Sequence, residues 1–89
     1  MPRRRLLIRN EKGLHARASA RFVETVERFD ARVEVMRDGL SVSGDSIMGL
    51  LMLGAAQGAT LEIEAEGPEA EALLAALAAL LEDRFGERR

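Results

Sequence analysis

Cysteine, tryptophan and tyrosine are absent from the 89 residues, and histidine occurs once. Without thiols the chain can form neither a disulfide framework nor a thiolate metal site, and a lone imidazole does not make a structural zinc centre. Aromatic residues amount to 3%, all Phe. None falls on a predicted strand, where a stacking platform for RNA would need them. A positive excess is also missing: 13 Lys and Arg stand against 15 Asp and Glu, for a net charge of −2. That balance argues against a general nucleic-acid binder. Long apolar runs are missing too. After the basic start Arg3-Arg4-Arg5 only Leu6 to Ile8 follow, too short for a signal-peptide core or a membrane span. A cytoplasmic protein without membrane insertion is expected.

What is present suits one small domain, residues 1–89. Hydrophobic residues make up 47%, enough for one core of Leu, Val, Ile, Met and Ala but not for two. Arg3 to Arg9 reads as a first strand with Leu6, Leu7 and Ile8 at its buried end, and Ala16 to about Glu27 as a helix. Arg32 to Arg37 alternates polar and apolar, Asp38-Gly39 is a strong two-residue hairpin signal, and Leu40 to Ser43 pairs back. Ser46 can cap a short helix to about Leu53. Thr60 to Glu66 is the clearest strand, with Leu61, Ile63 and Ala65 inward. Gly67-Pro68 marks a last helix, Pro being acceptable at its first position. Ala70, Leu73, Leu74, Leu77, Leu80 or Leu81 and Phe85 form its apolar stripe, and Gly86 ends it. The order is βαββαβα, an α+β arrangement in which one apolar sheet face needs helices to cover it. Periodicity does not give the strand order.

The single histidine, His15, falls where the polar turn Arg9 to Lys12 and Gly13 give way to helical spacing, with Ser19, Phe22, Val23, Val26 and Phe29 on one face. That places it at or beside a helix N-cap. The amides of Ala16 and Arg17 have no intrahelical acceptor there, and with the positive end of the helix dipole they make an anion cradle. Arg17 adds a fixed cation with planar donors suited to phosphate oxygens. A neutral imidazole beside such a cradle can receive a phosphoryl group. On its own, a histidine at a helix start is more often a surface or capping residue.

A second stretch is unusually apolar. From Ile47 to Leu53 every residue but Gly49 is hydrophobic. Leu50 and Leu53 lie together on the helical wheel, while Ile47, Met48, Leu51 and Met52 spread over the other side. A two-turn helix in so small a domain is not buried all round, and exposed apolar clusters mark partner surfaces. Methionines suit surfaces that must fit several partners. Cover from the loop Gly54 to Gly58 or from the turn Arg9-Asn10-Glu11 is the competing explanation.

Gly13-Leu14-His15-Ala16-Arg17 followed by Phe22-Val23, together with Ser46-Ile47-Met48-Gly49-Leu50-Leu51-Met52-Leu53-Gly54 at the fitting distance, resembles the HPr family, the histidine phosphocarriers of the bacterial phosphotransferase system. The resemblance covers nearly the whole chain. It implies an HPr-like open-faced sandwich: a four-stranded antiparallel sheet in the order 1-4-2-3 with three helices on one face. It also implies a carrier, itself no enzyme and needing no metal or cofactor, that takes a phosphoryl group from enzyme I on Nδ1 of His15. That group then passes to enzyme IIA-type proteins, with Arg17 and the amides of Ala16 and Arg17 binding the phosphoryl oxygens. Leu14, Ala20, Ile47, Met48, Leu51 and Met52 would form the docking patch of a monomer. Ser46 matches the family's regulatory serine, a target for a modifying kinase.

One position departs from many sugar-transport members: Ala18 stands where they carry proline, so a rigid first turn is lost. His-Ala-Arg-Ala-Ser, Leu-Leu-Met-Leu and the Gly-Pro-Glu start of the last helix look closer to the nitrogen-related, regulatory branch. The rival from another class is an ACT-type regulatory domain on a ferredoxin-like sheet. It would share most of this element order and leave His15 incidental.

Overall fold

A computed structural model describes residues 2–89. Four strands and three helices alternate: β1 (Arg3–Leu7), α1 (Ala16–Glu27), β2 (Arg32–Arg37), β3 (Leu40–Ser43), α2 (Ile47–Met52), β4 (Thr60–Glu66) and α3 (Ala70–Glu82), with a 3-10 turn at Arg84–Gly86. Every strand pairing is antiparallel, and the sheet order is β1-β4-β2-β3. β1 pairs with β4 alone, from Arg3 opposite Glu64 to Leu7 opposite Thr60. It is therefore an edge strand and does not lie between the other two long strands. That rules out the ferredoxin-like alternative.

The period of two decides which face is buried. Leu6, Val33, Val35, Leu61, Ile63 and Ala65 point to one side and are buried, joined there by Phe22, Leu50, Leu73, Leu77 and Leu81 from the helices. The opposite face is polar. Arg3 and Glu64, and Arg5 and Glu62, face each other across β1 and β4 and pair at 3.1 Å. Asp38 and Gly39 both take positive φ in the β2–β3 hairpin, as a two-residue turn matching the strand twist requires. Among the described residues, no helix is long and apolar enough to cross a membrane.

Three expectations are corrected. β1 ends at Leu7 rather than Arg9, and Leu7 is exposed because alternation turns it away from buried Leu6 and Ile8. Pro68 does not open α3, which begins at Ala70 with Glu69 as N-cap. The Glu69 carboxylate accepts the Asp30 amide at 2.7 Å instead of capping its own helix, and the Glu69 amide donates to the Asp30 carbonyl at 3.1 Å. The Gly67–Glu69 segment is thus tied to the turn between α1 and β2 before the helix can start. Phe85 is buried as expected but lies beyond α3, which stops at Glu82.

Candidate functional site

His15 is the N-cap of α1. Its backbone is extended, and its Nδ1 accepts a hydrogen bond from the Arg17 amide at 3.2 Å. Its carbonyl accepts the Ser19 amide at 2.8 Å, the first bond of the helix ladder. The segment before it is fixed from two sides. The Leu14 amide donates to the Ala55 carbonyl at 2.9 Å, beyond α2, and Asn10, itself fully buried, donates through Nδ2 to the Gly13 carbonyl at 2.7 Å. The imidazole is partly open to solvent. Arg17 is exposed, and among the described residues its guanidinium has no side-chain partner.

The tautomer follows from the partners. An amide N–H can only donate, so the Nδ1 that faces it carries a lone pair, and the neutral ring holds its proton on Nε2. Nε2 faces the carboxylate Oε2 of Glu87, and Oε1 of the same carboxylate accepts from Asn10 Nδ2 at 3.0 Å. Burial pushes the Glu87 carboxyl up. The hydrogen bonds from His15 and Asn10 outweigh that, helped by the charge of His15 when the ring is protonated and by that of Lys12, and hold it below the usual carboxylate range. A carboxylate depressed in the folded state contributes stability that is fully present above its unfolded value of about 4.3 and lost as pH falls through the folded value. The segment around Glu87 should therefore stay docked down to the ordinary carboxylate range and release below it. Amide shifts of Glu87 and Arg89 during an acid titration, compared with those of β4, read that release.

α2 divides as its wheel predicts. Leu50 and Leu53 are buried, while Ile47 is 40%, Met48 70% and Met52 67% exposed, with Leu51 and Ala20 half-buried. The loop and turn that could have covered this side do not do so. Leu14 departs from the expectation. It is only 5% exposed because the bond to Ala55 draws it down into the core, so it supports the loop and does not belong to the open patch. Ser46 caps α2, its Oγ accepting from the Gly49 amide at 3.0 Å. It stands at the end of α2 opposite the one tied to the His15 loop. Among the described residues, no group of three or more His, Asp or Glu side chains could hold a metal ion.

Glu87, Asn10 and the left-handed turn that delivers Glu87 are not visible in the sequence reading. Glu87 lies far along the chain from His15 and no short motif links them. Only the buried Phe85 just before it signals that the chain end is anchored.

An antiparallel sheet covered on one face by three helices, with a histidine capping α1 two residues before an exposed arginine, is an α+β open-faced sandwich. The family model for the PTS HPr component phosphorylation site matches residues 2–83. The chain belongs to the HPr family: it is an HPr-type phosphocarrier of the phosphotransferase system, not itself a catalyst. It is 42% identical over 87 residues to the phosphocarrier protein HPr of Cupriavidus necator, covering 98% of each chain. With the phosphocarrier protein NPr of Escherichia coli the identity is 41% over 81 residues, 90% of each. The crystal structure of HPr-C-His from Thermoanaerobacter tengcongensis superposes with a TM-score of 0.95 at 39% identity, covering 100% of both chains.

Proposed function

We propose that this carrier accepts a phosphoryl group from enzyme I, charged by phosphoenolpyruvate, on Nδ1 of His15 and passes it to an enzyme IIA-type protein. The observation that carries the reading is the pair of hydrogen bonds on the ring. They leave Nδ1 unprotonated, at a helix N-terminus and two residues before the exposed Arg17. As the phosphoryl group arrives, the Arg17 amide exchanges the Nδ1 lone pair for a phosphoryl oxygen. The Ala16 amide and the Arg17 side chain complete the cradle, stabilising charge on the transferring group. Arg17→Ala should slow transfer by about 10²-fold, the range for losing one preorganised donor. It should melt with the wild type, since Arg17 is exposed and lies outside the core. Following radiolabelled phosphoryl transfer from enzyme I to the variant, and onward to an enzyme IIA, tests this. A wild-type rate would remove Arg17 from the site.

The exposed face of α2, with Ile47, Met48, Leu51 and Met52, and Ala20 on α1, forms the surface on which both partners dock. Its tie to the His15 loop through Ala55 supports one continuous contact. The carrier acts as a monomer: its β1 edge bears Arg3, Arg4 and Arg5, which discourage strand pairing between copies. Ser46 regulates docking when a kinase modifies it. A phosphoryl group there brings about −1.5 to −2 charges to the patch edge while suiting the helix start. Ser46→Asp should accordingly weaken enzyme I binding and leave the melting temperature unchanged or slightly raised. Calorimetric titration beside a thermal melt separates these, and unaltered affinity would count against the switch.

We place the carrier in the regulatory, nitrogen-related branch and in the cytoplasm. Overall identity does not choose the branch, since the NPr and HPr relatives are equally similar. The reading rests on Ala18-Ser19 after Arg17 and on the apolar run Leu50 to Leu53.

A further inference from the structure

The chain end is built in an unusual way. Arg84, Phe85 and Gly86 take φ of 53°, 55° and 80°, three consecutive left-handed residues of which only the last is glycine. Side chains with a Cβ adopt that region at a cost, and such residues persist only where their surroundings over-determine them. Here they do. The Phe85 ring is fully buried, and Arg21 from α1 donates to the Phe85 carbonyl at 2.6 Å. A Cβ at Gly86 would meet that guanidinium at 2.5 Å and push it from its present place, and φ of +80° itself favours glycine there. After the turn the chain is tied once more, the Glu11 amide donating to the Arg89 carbonyl at 2.9 Å. Glu87 lies between these two anchors. One carboxylate oxygen is held by buried Asn10 and the other faces His15 Nε2.

We propose that Glu87 is a positioning residue for phosphoryl transfer, delivered by this left-handed turn to hold the Nε2 proton of His15 so that the Nδ1 lone pair is the one presented to phosphorus. The inference rests on His15 being the acceptor. In the step itself the Nδ1 lone pair forms the new P–N bond, and the pair of the breaking bond returns to the donor atom. No proton leaves: Nε2 keeps its own, and the ring takes on positive charge as its lone pair is committed. The Glu87 carboxylate faces that charge and stabilises it. A carboxylate behind a reacting histidine fixes tautomer and orientation in the same way in other sites.

His15 being the single histidine, protein labelled with nitrogen-15 histidine gives one pair of ring signals. In the wild type above neutral pH, long-range proton–nitrogen spectra should show Nε2 protonated and Nδ1 not. Glu87→Ala should move the Nε2 nitrogen and its proton away from their carboxylate-bonded values, with Nδ1 still facing the Arg17 amide, and transfer from enzyme I should slow by about 10-fold or more. Glu87→Gln keeps an acceptor for the Nε2 proton but no charge. Its ring shifts should stay near wild type while transfer remains slow, a split that a merely structural role would not produce. Thermal melts confirm that each variant is folded. Wild-type ring shifts or a wild-type transfer rate in Glu87→Ala would overturn the proposal, and a wild-type rate in Glu87→Gln would overturn the charge role. A wild type that enzyme I leaves unphosphorylated would instead count against the relay. The ring shifts, which need no partner, would still decide whether Glu87 holds the proton.

Discussion

Met48→Asp should bind enzyme I about 10- to 100-fold more weakly than the wild type while melting at nearly the same temperature. Met48 is 70% exposed, so a charge there is solvated and costs the fold within about 0.5 kcal/mol. It also sits in the first turn of α2, where the helix dipole favours a carboxylate. If α2 docks the partner as proposed, the cost falls on the complex, where an apolar contact becomes a buried, unpaired charge. Leu50, two residues on, should respond in reverse. It is fully buried under the same helix, and Leu50→Ala should lose about 2–5 kcal/mol of stability. Whatever of that variant stays folded should dock normally, because the outer face is unchanged. Titrations against enzyme I beside thermal melts distinguish the two faces. Unchanged affinity for Met48→Asp would show that partners dock elsewhere.

Gly13→Ala should damage both the fold and the phosphorylation site. Gly13 has φ of +69°, and a Cβ built there would stand 2.6 Å from the Ala55 carbonyl oxygen and 2.9 Å from the Ala56 Cα. Those are backbone atoms, which cannot rotate aside. The left-handed conformation costs a side chain about 1–2 kcal/mol, and the overpacking adds about 1–3 kcal/mol. Relief requires the two segments to part, which breaks the bond from the Leu14 amide to Ala55 and frees the loop carrying His15. Denaturant unfolding should show a loss of about 2–5 kcal/mol. Transfer to His15 should slow in the fraction that remains folded. A variant as stable as the wild type would show that the contact between the His15 loop and α2 is slack.

Local chemistry was legible in the residues, and long-range chemistry was not. β2, β3 and β4 stand where alternation and the Asp38-Gly39 signal place them, because each pattern is set by neighbours two apart and one buried face. His15 capping α1 and Ser46 capping α2 were legible for the same reason, since caps are written within four residues. The strand order came with the family resemblance. Pro68 misleads because the contact of Glu69 with Asp30, made across the fold, overrides a sound local signal. Leu14 misleads likewise: nothing near it in sequence announces that Ala55 draws it inward. Glu87 is the extreme case. Its role needs the buried Phe85, the Arg21 contact and buried Asn10 together, three tertiary facts with no sequence period.

The relay proposed for this carrier depends on Nδ1 of His15 taking the phosphoryl group. The most direct measurement incubates nitrogen-15 histidine-labelled protein with enzyme I and phosphoenolpyruvate, then combines intact mass with nitrogen and phosphorus spectra. One added phosphoryl group is predicted, acid-labile and alkali-stable as a phosphoramidate is, with phosphorus coupled to Nδ1 and the Nε2 proton retained. His15→Ala should gain none. A phosphoryl group coupled to Nε2, or a stable adduct that persists in His15→Ala, would contradict it.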